Sequence, residues 1–135
     1  MNAAPLGALY VAEAFPSQQV TASTNGSVFY AYQTYNDPST NKYSGFFRMA
    51  SIFVSQSAGS GNNGGNYLQI TLQGRHNDTD PWATIPQTTE IKITANGETG
   101  YFSTVTGPLL PELRIVATET GVADATFRVH VALHA

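Results

Sequence analysis

The residues most able to carry chemistry lie in a short polar run near the middle of the chain. Residues 76–80 read His-Asn-Asp-Thr-Asp, and Trp82 follows after a proline. Side chains of these types bind calcium or activate water. A calcium loop of the EF-hand type requires oxygen ligands at alternate positions and a glutamate at position twelve. Counted from Asp78, the tryptophan takes the fifth position and Thr89 the twelfth, so this pattern fails.

Two interpretations of this polar run are open. The side chains of Asn77 and Asp78 can accept hydrogen bonds from the backbone of a turn, after which Pro81 restarts an extended chain. A looser calcium site, built from Asp78, Asp80 and backbone carbonyls, is the alternative, but two carboxylates are few for it. We predict a turn between two strands and no metal site.

Catalytic constellations are not evident in the sequence. Paired-carboxylate catalysis needs two acids in a cleft, whereas Asp78 and Asp80 belong to a turn that should face solvent. Nucleophilic catalysis needs a serine beside an oriented histidine, and no G-x-S-x-G elbow occurs. His130 and His134 share one face of a predicted strand but lie about 13 Å apart at the usual rise per residue, too far to share a metal. We therefore predict a protein that is not an enzyme and uses no cofactor.

The composition indicates about one domain with a largely uncharged polar surface. Of 135 residues, 11% are charged, which is roughly half the usual share, and the formal net charge is −3. The six basic residues are dispersed and form no run that could neutralise several phosphates. We therefore predict no nucleic-acid partner. No stretch reaches about 18 consecutive apolar residues, so we also expect no membrane partner.

Cysteine is absent, so the fold must be held together by packing without disulfides. The first fifteen residues lack a basic region, and the acidic Glu13 interrupts their apolar run, which matches a signal peptide poorly. We expect a chain that is made and folded in a cytoplasm.

Residues 1–26 are rich in Ala, Ser, Thr and Gln, with scattered apolar residues. This segment is interpreted either as an edge strand or short helix of the domain, or as an extended arm that becomes ordered against a neighbouring subunit. The contact residues of such an arm would be Pro5, Leu6, Leu9, Tyr10, Val11 and Phe15.

Residues 27–135 carry the pattern of one β-domain. Residues 67–75 alternate apolar and polar side chains. Residues 45–56 are apolar on both faces except for Arg48 and the serines, which predicts a central, largely buried strand. Residues 57–65 predict a flexible connection, and Asn96-Gly97 predicts a hairpin turn. Seven to nine short strands without helical periodicity predict an all-β fold, an antiparallel β-sandwich of jelly-roll or immunoglobulin-like type.

Aromatic residues make up 11% of the chain. Aromatics on an exposed sheet face can stack on sugar rings, and Tyr67, Trp82 and Tyr101 are the candidates for such a platform. Most of the aromatics are instead expected in the core or in a subunit interface.

The order of strands and turns in residues 66–135 resembles a small structural protein of tailed bacteriophages. The resemblance rests on the segments "YLQITLQG", "PWATI", "PELRIVAT" and "ATFRVHVAL", which form a β-pattern rather than a catalytic signature. The matching positions are Leu68, Ile70, Leu72, Gly74, Trp82, Pro111, Leu113, Arg114 and Phe127 to Leu133.

This resemblance implies a non-enzymatic virion protein, most specifically a head decoration (cement) protein that binds and stabilises the assembled capsid. Such proteins sit on the capsid surface as β-sandwiches, often as trimers, and reach their neighbours with terminal arms. The implied partners are the lattice of the major capsid protein and further copies of the chain. A tail or fibre domain, or a carbohydrate-binding module, is the alternative function.

Overall fold

A computed structural model describes residues 9–36, 42–85, 91–105 and 109–135 of the chain. Within these ranges the chain forms twelve β-strands and no helix, and so no helix long and apolar enough to cross a membrane. The strands are β1 (Leu9–Val20), β2 (Thr24–Asn25), β3 (Phe29–Tyr30), β4 (Tyr32–Asn36), β5 (Lys42–Phe46), β6 (Met49–Gly59), β7 (Tyr67–Arg75), β8 (Ala83–Thr84), β9 (Ile91–Ile93), β10 (Thr99–Val105), β11 (Glu112–Thr120) and β12 (Ala125–His134).

Two antiparallel sheets enclose the core. The four-stranded sheet has the order β1-β12-β6-β10. The six-stranded sheet has the order β2-β11-β7-β8, with β3 also paired to β11 and β9 also paired to β7. Strands β4 and β5 form a separate antiparallel pair. Buried residues from both large sheets form one hydrophobic cluster, so the predicted all-β sandwich is confirmed.

Strict alternation of side chains explains why these segments form half-buried strands. In β7, Leu68, Ile70 and Leu72 are fully buried, while the polar residues between them are only partly buried. In β12, Phe127, Val129, Val131 and Leu133 are fully buried, as their spacing predicts. Because successive side chains point to opposite faces, each strand places its apolar set on the core side.

The N-terminal segment forms an edge of the four-stranded sheet. Strand β1 pairs with β12 from Leu9↔His134 to Val20↔Ala125, with register shifts on both sides of Phe15. The Phe15 ring is fully buried and stacks on Phe127 with the ring centroids 5.0 Å apart. Residues 9–20 therefore follow the edge-strand interpretation, and Phe15 is a core residue rather than an arm contact. Two of the predicted arm contacts, Pro5 and Leu6, lie outside the described residues.

The turn at Asn96-Gly97 does not close the predicted hairpin. Strand β9, before the turn, pairs with β7 in the six-stranded sheet, whereas β10, after it, pairs with β6 in the four-stranded sheet. The turn therefore carries the chain from one layer of the sandwich to the other. It is held there by Asn96, whose Oδ1 accepts a hydrogen bond of 2.7 Å from the backbone N–H of Asn62.

Strand β6 is central in its sheet, but the expectation that both of its faces are buried is wrong. Ala50, Ile52 and Val54 are buried, whereas Met49 and Phe53 on the opposite face are exposed. The reason is architectural. In the described part of the chain the six-stranded sheet covers the inner face, and nothing covers the outer one.

Candidate functional site

The polar run at residues 76–80 is a turn, as predicted. Oδ1 of Asn77 accepts hydrogen bonds from the backbone N–H of Thr79 at 3.0 Å and from its hydroxyl at 2.6 Å. The N–H of Asp80 donates to the backbone oxygen of Asn77 at 3.2 Å. Among the described residues no group of three or more His, Asp or Glu side chains is placed to hold a metal ion.

Trp82 ends this turn and lies over two arginines of the six-stranded sheet. The guanidinium carbon of Arg75 is 4.2 Å from the centroid of the indole ring, and that of Arg114 is 4.5 Å away. Arg75 ends β7, and Arg114 lies on the neighbouring strand β11, opposite Gln73. The short strand β8 pairs with Gln73 and Gly74, which places the residue before it beside the end of β7.

The two arginines beside Trp82 differ in their partners: Arg75 has an anionic partner and Arg114 a neutral one. Glu112 Oε1 accepts hydrogen bonds from Nε and Nη2 of Arg75, at 3.2 and 3.1 Å, in an ion pair whose side chains are both less than one-fifth exposed. Arg114 donates from Nε to the neutral Oε1 of Gln73 at 2.9 Å. Burial and, secondarily, the positive charge of Arg75 lower the pKa of Arg114. We call Arg75, Arg114 and Trp82 the arginine–tryptophan site.

The three residues predicted as a sugar platform are not brought together. Tyr67 begins β7, eight residues and therefore about 26 Å from the end of the strand near Trp82. The Lys92 ammonium lies over the Tyr67 ring, 5.0 Å from the ring centroid. Tyr101 lies on the other sheet, packs against the core and accepts a hydrogen bond from the N–H of Ala95. The rings of Tyr67 and Trp82 already stack with cations.

The outer face of the four-stranded sheet carries exposed apolar side chains from three of its strands. We call this surface the apolar face, and it comprises Leu9, Val11, Met49, Phe53 and Phe102, which are 38% to 62% exposed. The register aligns Phe102 with Phe53 across β10 and β6, and Phe53 with His130 across β6 and β12. Leu9 and Val11 face outward on the β1 edge. Of the predicted arm contacts, these two are surface residues, whereas Tyr10 packs against the core.

A serine and a histidine also meet on the outer side of the four-stranded sheet. The hydroxyl of Ser51 and Nε2 of His134 are 2.9 Å apart, beside a groove of about 260 Å³ that Met49 and Thr104 also line. Acyl transfer would further require an acid that orients the imidazole and spare N–H donors for an oxyanion. No described carboxylate bonds to His134, and the pairing of β6 with β10 and β12 occupies the local backbone in ladders.

Comparison with known proteins gives no relative: no family model, curated protein or solved structure matches the chain. The two surfaces that remain as candidates for a function are the apolar face and the arginine–tryptophan site.

Sequence reasoning missed the apolar face for an identifiable reason. In "MASIFVSQ", Ser51 and Ser55 occupy the same side as Met49 and Phe53, and the other side is apolar up to Gln56. That distribution of serines marks an outward face, although the apolar content of the segment suggested burial on both sides.

Proposed function

We propose that this chain is a non-enzymatic structural protein of a tailed-bacteriophage virion, which decorates the assembled head and stabilises it. The apolar face is the observation that carries this proposal, and its occupant is the surface of the capsid protein. The resemblance of residues 66–135 to small phage structural proteins supports the head of a tailed bacteriophage as the binding partner.

The apolar face has the character of a protein interface. Phe102 is 62% exposed and stands opposite the exposed Phe53 on the neighbouring strand. Phe53 and Phe102 are exposed apolar neighbours on adjacent strands, and clustered exposed apolar side chains of this kind mark interaction sites. The clustered phenyl rings would supply the desolvated centre at which binding energy concentrates.

The border of this face is polar, as the rim of a protein interface is. Glu13 and Arg128 are both exposed on its outer side and form no ion pair in the described structure. Both charges are therefore free to pair with a partner surface. Phenylalanine rings without hydroxyl groups supply few hydrogen bonds for a sugar, which favours a protein partner over a glycan.

The mechanism follows from mass action. A protein that binds only the assembled lattice stabilises that lattice by the free energy of binding at each site. Because a head repeats the site many times, a modest contribution per site accumulates over the particle without any chemical step. No catalytic group is needed for this activity.

Replacing Phe102 by serine is expected to weaken binding to heads by about 30-fold, or roughly 2 kcal/mol, because an exposed aromatic at the centre of an interface is a typical hot spot. Co-sedimentation of the purified protein with expanded heads, at a series of concentrations, measures the change. Phe102 is a better position for this test than Phe53. The ring of Phe53 covers Gly100, since it lies 3.2 Å from the position that a Cβ of Gly100 would take, so removing that ring would also expose the backbone of β10.

The matched control is Val122→Ser, since Val122 is an apolar residue 78% exposed in the turn between β11 and β12, away from the outer faces of both sheets. This variant should bind heads like the parent. Equal binding by the Phe102 variant would contradict docking through the apolar face. If sedimentation velocity showed that Phe102→Ser only dissolves an oligomer, the face would belong to contacts between copies instead.

A further inference from the structure

In the arginine–tryptophan site, two positively charged guanidinium groups contact the same indole ring, although like charges that lie close together repel each other. The guanidinium groups of Arg75 and Arg114 both lie within 4.5 Å of the Trp82 ring centroid. The ring attracts each cation through its π-face, and it shields one side of the group from water. Two arginines so placed need anions nearby to offset their mutual repulsion.

One of the two charges is already matched. Glu112 accepts both of its described hydrogen bonds from Arg75 through the single oxygen Oε1. This pair is the one ion pair within the described residues, so no described carboxylate lies within 4.0 Å of Arg114. The described partner of Arg114 is the neutral amide of Gln73 at Nε, which leaves its two terminal nitrogens without a described acceptor. Among the described residues, the site therefore keeps one excess positive charge, and the terminal nitrogens of Arg114 remain as unused donors.

A carboxylate is the group that fits the unpaired charge and the unused N–H donors of Arg114. A guanidinium fork matches the two oxygens of a carboxylate, and their charge-assisted hydrogen bonds are about twice as strong as neutral ones. One excess positive charge balances a monoanion, whereas a phosphate would bring more negative charge close to Glu112.

We propose that Arg75, Arg114 and Trp82 form a binding site for a single carboxylate group, presented by an Asp or Glu side chain of a partner protein. The inference rests on the proposed function for the identity of the partner, because a protein in a lattice has neighbours on more than one side. The site lies on the outer face of the six-stranded sheet, opposite the apolar face, so it meets a second neighbour.

Trp82 is the sole tryptophan of the chain, so its fluorescence reports directly on the site. The probe is a blocked tripeptide, acetyl-Gly-Glu-Gly-amide, titrated into the full-length protein at constant ionic strength. Its glutamine analogue, sodium acetate and inorganic phosphate are titrated in parallel. The expected result is a saturable change in Trp82 emission with the glutamate peptide and none with the glutamine peptide. No saturable response, or tighter binding of phosphate, would overturn the proposal. A response to acetate alone would assign the site to free small carboxylates and overturn the partner side chain.

Replacing Arg114 by glutamine should lower the affinity for the glutamate peptide about tenfold or more, because the charged donors are lost. The control is Arg48→Gln, which removes the same charge from an exposed position between β5 and β6 and should leave the titration unchanged. Both variants are checked for an unchanged unfolding midpoint, and Arg114→Lys, which keeps the charge without the fork, should bind with intermediate affinity. Equal peptide affinity in the Arg114→Gln variant and the parent would overturn the site.

Binding to heads separates this inference from the proposed function. If the parent fails to bind heads but still responds to the glutamate peptide, the decoration role fails and the carboxylate site stands. If Arg114→Gln loses the peptide response but binds heads like the parent, the decoration role stands and the contact of this site with the lattice is overturned.

Discussion

Replacing Phe15 by alanine is expected to lower the free energy of unfolding by about 3–5 kcal/mol, which is the usual cost of removing a buried ring from a core. Phe15 is fully buried, and its ring stacks on Phe127 with the planes 7° apart. Both rings lie beneath the pairing of β1 with β12, so truncation opens a cavity under the edge strand. Urea denaturation followed by Trp82 fluorescence measures the loss.

The control for this experiment is Val11→Ala in the same strand. Val11 is 54% exposed, so its truncation should cost less than about 1 kcal/mol. Similar losses for the two variants would contradict a docked β1 and would favour an N-terminal segment that detaches from the domain. The comparison therefore decides in solution between an edge strand and a free arm.

Replacing Asn62 by alanine is expected to lower the free energy of unfolding by about 2–4 kcal/mol, because three hydrogen bonds made by one buried side chain are lost at once. Asn62 is only 4% exposed. Its Nδ2 donates to the backbone oxygens of Ala95 and Asp124, at 3.2 and 2.8 Å, and its Oδ1 accepts from the N–H of Asp124 at 3.1 Å. One side chain thus joins three loops at the same end of the sandwich.

Asn77→Ala is the matched control for this loss. Asn77 also accepts two hydrogen bonds through its side chain, but it lies in an exposed turn, where water can replace the lost partner. Its replacement should cost at most about 1 kcal/mol. Thermal unfolding of both variants tests the difference, and an Asn62 variant as stable as the Asn77 variant would show that the three loops are held independently.

The two proposed surfaces suggest how a small domain with few charged residues can be placed between neighbours. The apolar face lies outside the four-stranded sheet, and the arginine–tryptophan site lies outside the six-stranded sheet, so the packed core separates them. One supplies apolar area and the other a charge, and these contribute differently to binding. Burial of apolar area adds most to affinity, whereas a paired charge adds orientation and selectivity. A salt titration of head binding should therefore affect the Arg114 contribution more than the Phe102 contribution.

Local patterns were sufficient to predict much of this structure. The alternation in residues 67–75 and 125–134 predicts which side chains are buried, and Asn77 predicts the turn that follows β7. Both depend on nearest neighbours along the chain: the two-residue period of a strand, and an amide that reaches backbone groups two residues away. Such features do not depend on contacts with distant parts of the chain.

Other features needed contacts between distant parts of the chain. Residues 57–65 look like a flexible connection in the sequence, yet Asn62 ties this stretch to residues 95 and 124. Arg75 and Arg114 are 39 positions apart and meet because β7 and β11 pair in a particular register. Neither contact has a local pattern from which it could be predicted.

The sequence by itself therefore determined the all-β class and the inward side chains of regular strands such as β7 and β12, because the period of two is a local property of the chain. It did not determine the number of strands: seven to nine were predicted, and the described residues form twelve. Only the tertiary structure decided which sheet each strand joins and which faces stay open. Phe53 and Ile52 are adjacent and both apolar, but the opposing sheet covers one and leaves the other 47% exposed. Exposure is a property of the layer that a strand enters, and that depends on pairing partners far away in sequence.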